Sequence, residues 1–509
     1  MFYITTSRPY TNSNPHLGTM IDAIYGDTYS RFFKRVGEGL TYFSMGTDEH
    51  SFKIVDKAKE LSTTPKEFVD KKYREFKSAF ENLDILSDNF IQSSEPKHHW
   101  LANLVWEKLK AKGLIYKKNY HGLYCTGCED FYSESQLIDG HCPIHSNLQI
   151  QKVDEENYFY KLSSFKEQIL DYLGKVKVPD KSVILEMQNF TEKLEDISIS
   201  RDRSRLSMDW GIPVWSDPKS LMYVWFEALL TYLTPLLDDD LYEQWQEGDN
   251  DIKAQIEGEV WETLKEKLPQ NLQIIGRDNS KFHLIIYSAI LFGLDLPAIE
   301  TVIIHGMIND HLGRKFAKSL GNGVELVDFL AKVGKEGVRF FILHDVNSVG
   351  DTNFHWGRAI ESHNSNLADN LGNLLIRITN LIDKNLDGKI DLLETNIDQD
   401  LVNLSEVYTS LKAFNSQTAL QKIFSQTAKI NQYLEETKPW QLVKDFENSE
   451  SRNKFVEILT KSALALLKIA EALSIFLPET GSQIAESLTA EKITKAKVLF
   501  PKLELNSEV

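Results

Sequence analysis

The short stretch Phe2-Tyr3-Ile4-Thr5-Thr6 leads, a few residues on, into Pro15-His16-Leu17-Gly18-Thr19 and from there into a long helical pattern. The first stretch is aromatic and β-branched, the composition of a buried strand. Apolar residues then recur at Met20, Ile21, Ile24, Tyr25, Phe32 and Val36, the spacing of one helix face, and Gly37 supplies a stop. His16 and Gly18 are therefore expected at a strand-to-helix turn. There the first N–H groups and the positive end of the helix dipole favour an anion such as phosphate. Gly18 has no Cβ, so a flat ring can approach the backbone. Such a turn also reads simply as a glycine beside a half-buried histidine. A second stretch far along the chain, Gly313-Arg314-Lys315-Phe316-Ala317-Lys318-Ser319-Leu320-Gly321-Asn322, tips the balance toward a nucleotide site.

Composition enters as a set of exclusions. A chain of 509 residues is too long for one core, so several domains are expected. Its net charge of −17 argues against promiscuous binding to nucleic acid or membrane, though a local basic face remains compatible with it. The first residues lack the charged-then-apolar order of a signal peptide. The longest apolar run, Leu284 to Leu294, is too short to span a bilayer. Three cysteines, all in one window, do not suggest a disulfide framework, and the setting reads as cytosolic.

Those cysteines carry a signal of their own. Cys125-Thr126-Gly127-Cys128 and Cys142-Pro143-Ile144-His145 form two knuckles, each with a two-residue spacer that lets one tight turn supply two ligands. Three thiolates and one imidazole suit tetrahedral Zn²⁺, and four protein ligands leave no open position, so the expected zinc is structural.

Other stretches read more than one way. Leu40-Thr41-Tyr42-Phe43-Ser44-Met45 reads as a strand, and Asp48 just beyond it is either a ligand-binding carboxylate or a cap for the next helix. Thr64-Pro65-Lys66-Glu67 reads as a helix start with a capping box. His98 and His99, on a helix spanning Glu95 to Lys112, read as surface or capping residues. Ile197-Ser198-Ile199-Ser200-Arg201 alternates as a strand does. Trp225, Ala228 and Tyr232 fall on one helical face, which is core or a pocket wall. Leu272-Gln273-Ile274-Ile275 reads as a buried strand ending in Gly276-Arg277-Asp278, where Asp278 suits ribose hydroxyls or a plain turn. From about Phe354 onward the apolar spacing is heptad-like, near Ala359–Leu386, Leu401–Glu436 and Ser451–Phe476, and predicts a helix bundle.

The His16-x-Gly18 and Lys315-x-x-Lys318-Ser319 stretches resemble the two signatures of class I aminoacyl-tRNA synthetases. Gly46-Thr47-Asp48-Glu49-His50, Asp209-Trp210-Gly211-Ile212-Pro213 and the zinc knuckles make the text similar to the methionyl-tRNA synthetase family over nearly the whole chain. The resemblance implies an α/β fold: a Rossmann-like parallel-sheet catalytic domain (1–115 and 196–323) split by a zinc-knuckle insertion (116–195). A stem-contact linker (324–355) and an all-α anticodon-binding bundle (356–509) would follow. It implies methionine, ATP with Mg²⁺ and tRNA as substrates, and a monomer. By the likeness, His16, Lys315 and Lys318 are catalytic, and His16, Gly18, Thr19, Gly276, Asp278, Lys315, Lys318 and Ser319 bind ATP. Tyr10, Asp48, Trp225, Ala228, Tyr232 and His283 would hold the amino acid, and Asn373, Arg377 and Trp440 the anticodon. The ligands of the resembled zinc knuckle fall on Cys125, Cys128, Cys142 and His145.

The sequence departs from that pattern at Thr19, Phe316, Ala317, Ser51, Arg8 and Asn279. A polar group beside an apolar pocket costs about 1–3 kcal/mol unless it is paired. A non-catalytic paralogue that binds tRNA, or a ligase for another amino acid, therefore stays open beside the methionine enzyme.

Overall fold

Phe2–Thr6 forms the central strand of a five-stranded sheet in the computed structural model of the chain. The order is Thr301–His305, Leu272–Gly276, Phe2–Thr6, Thr41–Thr47 and Asn89–Gln92. Phe2–Thr6 runs parallel to Leu272–Gly276, with Ile4 opposite Leu272, and Thr41–Thr47 runs parallel to Asn89–Gln92. In sequence the sheet grows outward from Phe2–Thr6 on one side and then resumes on the other. That reversal is the switch point of a doubly wound sheet, where ligands bind beyond the carboxyl ends of the strands. Tyr3, Ile4, Phe43, Leu272 and Ile274 are fully buried, as a sheet covered on both faces requires. Gly46 is forced by packing: a Cβ there would lie 2.3 Å from the Ile91 carbonyl oxygen of the neighbouring strand.

The structure describes residues 1–37, 39–125, 130–132, 134, 137–143, 148–205, 209–316, 323–392 and 401–504. They form two units, each discontinuous in sequence. One holds Met1–Asn14, Tyr42–Lys77 and Ser87–Ile303; the other holds Pro15–Thr41, Ser78–Leu86 and Ile304–Val509.

In the first unit a four-stranded sheet orders Asp130–Tyr132, Ile115–Cys125, Gln151–Tyr160 and Ile197–Ser198, all antiparallel. The single strand expected over residues 197–201 is two. Ile197–Ser198 pairs with Gln151–Tyr160, whereas Ser200–Asp202 joins a second sheet against Asp217–Met222. Ile199, between them, donates its N–H to Tyr158 O (2.8 Å) and accepts from Tyr223 N (2.8 Å), so the chain changes sheets without losing a backbone bond. The Pro65–Glu81 helix starts on the expected capping box, with Glu67 accepting from Thr64 N (3.1 Å) and Thr64 Oγ1 accepting from Glu67 N (3.2 Å).

In the second unit the Leu17–Val36 helix ends where Gly37 takes a left-handed φ of 71°. The C-terminal helices include Asn373–Leu386, Ser405–Lys412, Ser416–Thr437, Ser449–Leu473 and Pro478–Thr489. The expected 401–436 helix is broken. Phe414 adopts φ 57°, and Asn415 opens a new helix by accepting from Thr418 N (3.0 Å). An ion network centred on the fully buried Arg339 and Asp27 joins distant parts of this unit. Arg339 donates to Phe476 O (2.7 Å), Leu83 O (3.2 Å) and Asp27 Oδ2 (2.7 Å). Asp27 also takes Arg31 Nε at 2.7 Å and the Leu86 N–H at 3.1 Å. Among the described residues no helix is long and apolar enough to cross a membrane.

Candidate active site

Just beyond Phe2–Thr6, Tyr10 forms a parallel bridge with Asp48. Asp48 N donates to Pro9 O (3.0 Å), and Thr11 N donates to Asp48 O (3.2 Å). The Asp48 backbone is thus held through both its N–H and its C=O, and the residue is only 2% exposed. It does not cap the next helix; Ser51 does, accepting from Ile54 N. The Tyr10 ring meets Trp225 edge to face, with centroids 5.7 Å apart. Trp225 in turn stacks on Phe282 at 3.9 Å, and Tyr10 and Trp225 pack on Tyr223, Val224 and Ala228. Val224–Leu230 is helical, so Trp225 and Ala228 lie one turn apart, while Tyr232 sits just past the helix end.

Tyr232 and His283 form a second, hydrogen-bonded pair. The Tyr232 hydroxyl lies 2.8 Å from His283 Nε2, and His283 Nδ1 lies 2.9 Å from the Asn279 carbonyl oxygen. The carbonyl only accepts, so Nδ1 carries the proton and Nε2 accepts from the tyrosine. His283 stands on a π-helical turn, Phe282–Tyr287. Behind the Tyr232 ring lies Arg8, its guanidinium carbon 4.9 Å from the ring centroid. Arg8 is buried and donates to Ser44 O (2.9 Å), Ser44 Oγ (3.0 Å) and the Thr231 hydroxyl and carbonyl (both 3.4 Å). The departure at Arg8 is thereby satisfied with neutral oxygens, although burial pulls its pKa below the usual arginine range. Gly276 closes its strand, and Asp278 lies exposed on the short turn Arg277–Asn279.

The expectation for His98 and His99 is overturned. His98 is completely buried and His99 is half-buried. His98 Nε2 lies 3.1 Å from Glu227 Oε2, and His98 Nδ1 lies 2.9 Å from Thr234 Oγ1. The Pro96–Ala111 helix buries residues all round its circumference, so its histidines face protein.

In the second unit His16 is the N-cap of the Leu17–Val36 helix, its Nδ1 accepting from Thr19 N at 3.3 Å. Thr19 returns the contact: its Oγ1 accepts from His16 N (3.1 Å) and donates to His16 O (2.7 Å). A Cβ on Gly18 would lie 3.1 Å from His16 Nδ1, so glycine leaves room for the capping imidazole. Lys315 bridges Asn309 at the base of its loop, which Asp310 anchors by accepting from Leu312 N, Arg314 N (both 2.9 Å) and Arg314 Nε (2.8 Å). Lys318 and Ser319 lie outside the described residues.

Asn373 opens its helix and donates to Asp369 (3.1 Å), which also takes Lys502 (2.8 Å). Arg377 pairs with Glu435 (2.7 Å) and covers the half-buried Trp440 ring at 5.1 Å. Cys125 and Cys142 are buried, and Cys142 follows a tight Ile138–His141 hairpin turn. Cys128 and His145 lie outside the described residues. Among the described residues no group of three or more His, Cys, Asp or Glu is placed to hold a metal.

A family model described as tRNA synthetases class I (M) matches residues 2–154 and 144–379. The chain belongs to this family. A methionine–tRNA ligase of Caldanaerobacter subterraneus subsp. tengcongensis is 32% identical, over all of this chain and 80% of that protein. One of Nostoc sp. is 32% identical over 96% of this chain and 89% of that protein. The solved Mycobacterium tuberculosis methionyl-tRNA synthetase in complex with methionyl-adenylate has a TM-score of 0.83 and 27% identity, covering 98% of each chain.

Within this class I synthetase, sequence reasoning missed Glu227, Phe282, Asp310 and the acceptors of Arg8. Phe282 directly precedes His283 in a helical pattern, which is a usable signal for a second pocket aromatic. The acceptors Ser44 and Thr231 lie 36 and 223 residues from Arg8, and no local pattern joins them.

Proposed function

We propose that the protein joins methionine to its tRNA, using ATP as the Mg²⁺ complex. A methionine carboxylate oxygen attacks the α-phosphorus of ATP, the bond to the departing pyrophosphate breaks, and methionyl-adenylate forms. A ribose hydroxyl at the 3′ end of the tRNA then attacks the adenylate carbonyl, and AMP leaves. The observation that carries this reading is Asp48, a buried aspartate whose backbone is tied to Pro9 and Thr11 and bridged to Tyr10 of the Tyr10–Trp225 pair. Such a site suits an ammonium group next to an apolar side chain.

On this reading Asp48 takes the α-ammonium, and Tyr10, Trp225, Ala228, Tyr232 and His283 wall the thioether, where each sulfur–aromatic contact is worth about 0.3–1.5 kcal/mol. His16, Gly18 and Thr19 at the helix N-terminus, with Gly276 and Asp278, hold ATP. Lys315, Lys318 and Ser319 stabilise charge on the departing pyrophosphate, in a reaction where positioning and electrostatics do most of the catalysis. A tRNA substrate and cysteines kept as thiolate ligands suit the cytoplasm, and one chain supplies every proposed site residue, as a monomer would. The test is ATP–pyrophosphate exchange with each of the twenty amino acids. Methionine alone should stimulate it. Exchange with none of them would favour the tRNA-binding paralogue, and exchange with another residue would assign that ligase.

The donor set fits one structural zinc in residues 116–195. Cys125 and Cys142 are buried thiols, and with Cys128 and His145 they would supply three sulfurs and one nitrogen, a ligand set that suits tetrahedral zinc. When bound, the ion cross-links the insertion and takes no part in adenylate chemistry. Protein purified without chelator should carry one zinc per chain by elemental analysis, and well under one would remove the assignment.

Residues 356–509 are assigned to anticodon recognition through Asn373, Arg377 and Trp440. Unstacked loop bases need an aromatic platform, and base–aromatic stacking is worth about 1–3 kcal/mol. Arg377 over the Trp440 ring pre-positions a guanidinium at the platform. Trp440→Ala should lower kcat/KM for tRNA aminoacylation by about 10–100-fold while leaving pyrophosphate exchange within about twofold. Equal losses in both assays with a lowered melting temperature would instead make Trp440 a core residue.

A further inference from the structure

The pocket helix Val224–Leu230 carries a residue that no step above uses. Glu227 is completely buried, one residue past the Trp225-Phe226 pair and directly before Ala228. Its two carboxyl oxygens reach two different elements: Oε1 lies 3.0 Å from His50 Nδ1, and Oε2 lies 3.1 Å from His98 Nε2. His50 is two residues beyond Asp48, and His98 belongs to the Pro96–Ala111 helix. A buried carboxyl group is costly to keep, so its placement between the segment that carries Asp48 and the helix that carries Trp225 calls for a role.

The hydrogen-bond roles can be assigned. The Thr234 hydroxyl donates to Leu230 O (3.3 Å), so it accepts from His98 Nδ1. His98 then presents Nε2 to Glu227, and one proton lies between Nε2 and Oε2. Burial raises the pKa of the Glu227 carboxyl and lowers that of His98, which favours a protonated carboxyl donating to a neutral imidazole. On the other side His50 donates from Nδ1 to Oε1, and burial lowers its pKa to about 4, so it too is neutral. The segment that carries His50 is anchored again one residue earlier. Glu49 N donates to Ser93 Oγ (2.9 Å), the Glu49 carboxylate takes Thr47 Oγ1 (2.7 Å) and Ser94 Oγ, and Trp210 Nε1 donates to Glu49 O (2.6 Å).

We propose that Glu227 is a positioning residue for the amino-acid substrate: its carboxyl group bridges His50 and His98 and so fixes the Trp225–Ala228 pocket wall relative to Asp48. The inference rests on the reading of this pocket as the methionine site. Asp48 would hold one end of the substrate and Trp225 with Ala228 the other. A rigid bridge between the two supports sets the distance across which a single amino acid must fit. A displacement of about 1 Å between such supports is enough to cost up to about 10²-fold.

The test is the dependence of pyrophosphate exchange on methionine and on ATP in wild type, Glu227→Ala and Glu227→Gln, with melting temperatures. Glutamine mimics the protonated acid, since its carbonyl accepts from His50 and its amide donates to His98. Glu227→Ala should raise KM for methionine about tenfold or more while KM for ATP stays within about twofold, and Glu227→Gln should remain within about threefold of wild type in both. Should Glu227→Ala fail to fold, His50→Phe carries the same test, because it keeps a ring of similar volume and cuts the bridge on the Asp48 side. The proposal is overturned if methionine KM is unmoved in these variants, if both KM values rise together, or if Gln is as damaging as Ala. A wild type that shows no methionine-dependent exchange overturns the assignment of the pocket itself, a result distinct from an active wild type whose variants do not respond.

Discussion

Asp48→Ala lowers kcat/KM for methionine in pyrophosphate exchange by about 10²–10³-fold, with KM for ATP nearly unchanged. The size follows from burial. Removing one partner of a desolvated charge pair costs about 3–5 kcal/mol, because the remaining charge stays in a poor solvent, and every 1.4 kcal/mol is about a factor of ten. Asp48 is 2% exposed, so water offers little compensation to a substrate ammonium left alone there. The fold should tolerate the change, since the backbone of residue 48 is held through Pro9 O and Thr11 N, which no side-chain substitution removes. Asp48→Asn separates charge from hydrogen bonding and should fall between wild type and Asp48→Ala. A loss below about threefold in Asp48→Ala, measured by titrating methionine at saturating ATP, would place the ammonium elsewhere.

Arg339→Ala lowers the melting transition of the second unit by about 10 °C. The guanidinium is fully buried, and its removal leaves the carbonyls of Phe476 and Leu83 without that donor and cuts one of two arginine contacts to Asp27. Breaking a buried pair costs about 3–5 kcal/mol. Each kcal/mol shifts the midpoint by about 2–4 °C for a unit of 150–250 residues. Calorimetry should resolve this loss as a change in one transition, because the first unit contains none of these residues. An unmoved transition would mean that Arg339 contributes nothing net to stability. Arg339→Met, which keeps most of the volume, should recover part of the loss by packing alone.

Local chemistry made some of this legible in advance, and non-local chemistry kept the rest hidden. Strand Phe2–Thr6, the Gly37 stop and the Thr64–Glu67 capping box depend on residues within a few positions of one another, and each lies where its pattern put it. His16 and Gly18 were readable as a helix-start pair for the same reason. The reciprocal role of Thr19 was not, because a threonine three residues after a histidine is an unusual capping box. In sequence His98 reads as a surface or capping residue, because its partner Glu227 is 129 residues away and periodicity carries no information about such a contact. Trp225, Ala228 and Tyr232 are spaced as a helical stripe, but the aromatic neighbours of Trp225, Tyr10 and Phe282, come from distant segments that no spacing reveals. The break at Phe414 was legible in part: Asn415 followed by Ser416 is a cap signal inside an otherwise continuous apolar pattern.

The discontinuity of the second unit bears on how the protein is made. The Leu17–Val36 helix is among the first segments to leave the ribosome, yet the groups that complete it arrive last: Tyr29 meets Ser416, Asp27 meets Arg339, and Arg35 meets Glu471 at a separation of 436 residues. At a synthesis rate of about 5–20 residues per second, that separation is a delay of roughly 20–90 seconds. During that interval a helix with Met20, Ile24, Tyr25, Tyr29 and Phe32 among its buried residues has its early partners at Asp84 and Leu86 but lacks those at Arg339, Ser416 and Glu471. The sheet begun by Phe2–Thr6 likewise lacks its outer strand, Thr301–His305, until that later segment is made. Nascent chains of this protein should therefore be strong clients for chaperones that hold apolar helices, and slowing the ribosome late in the message should lower the soluble yield more than slowing it early.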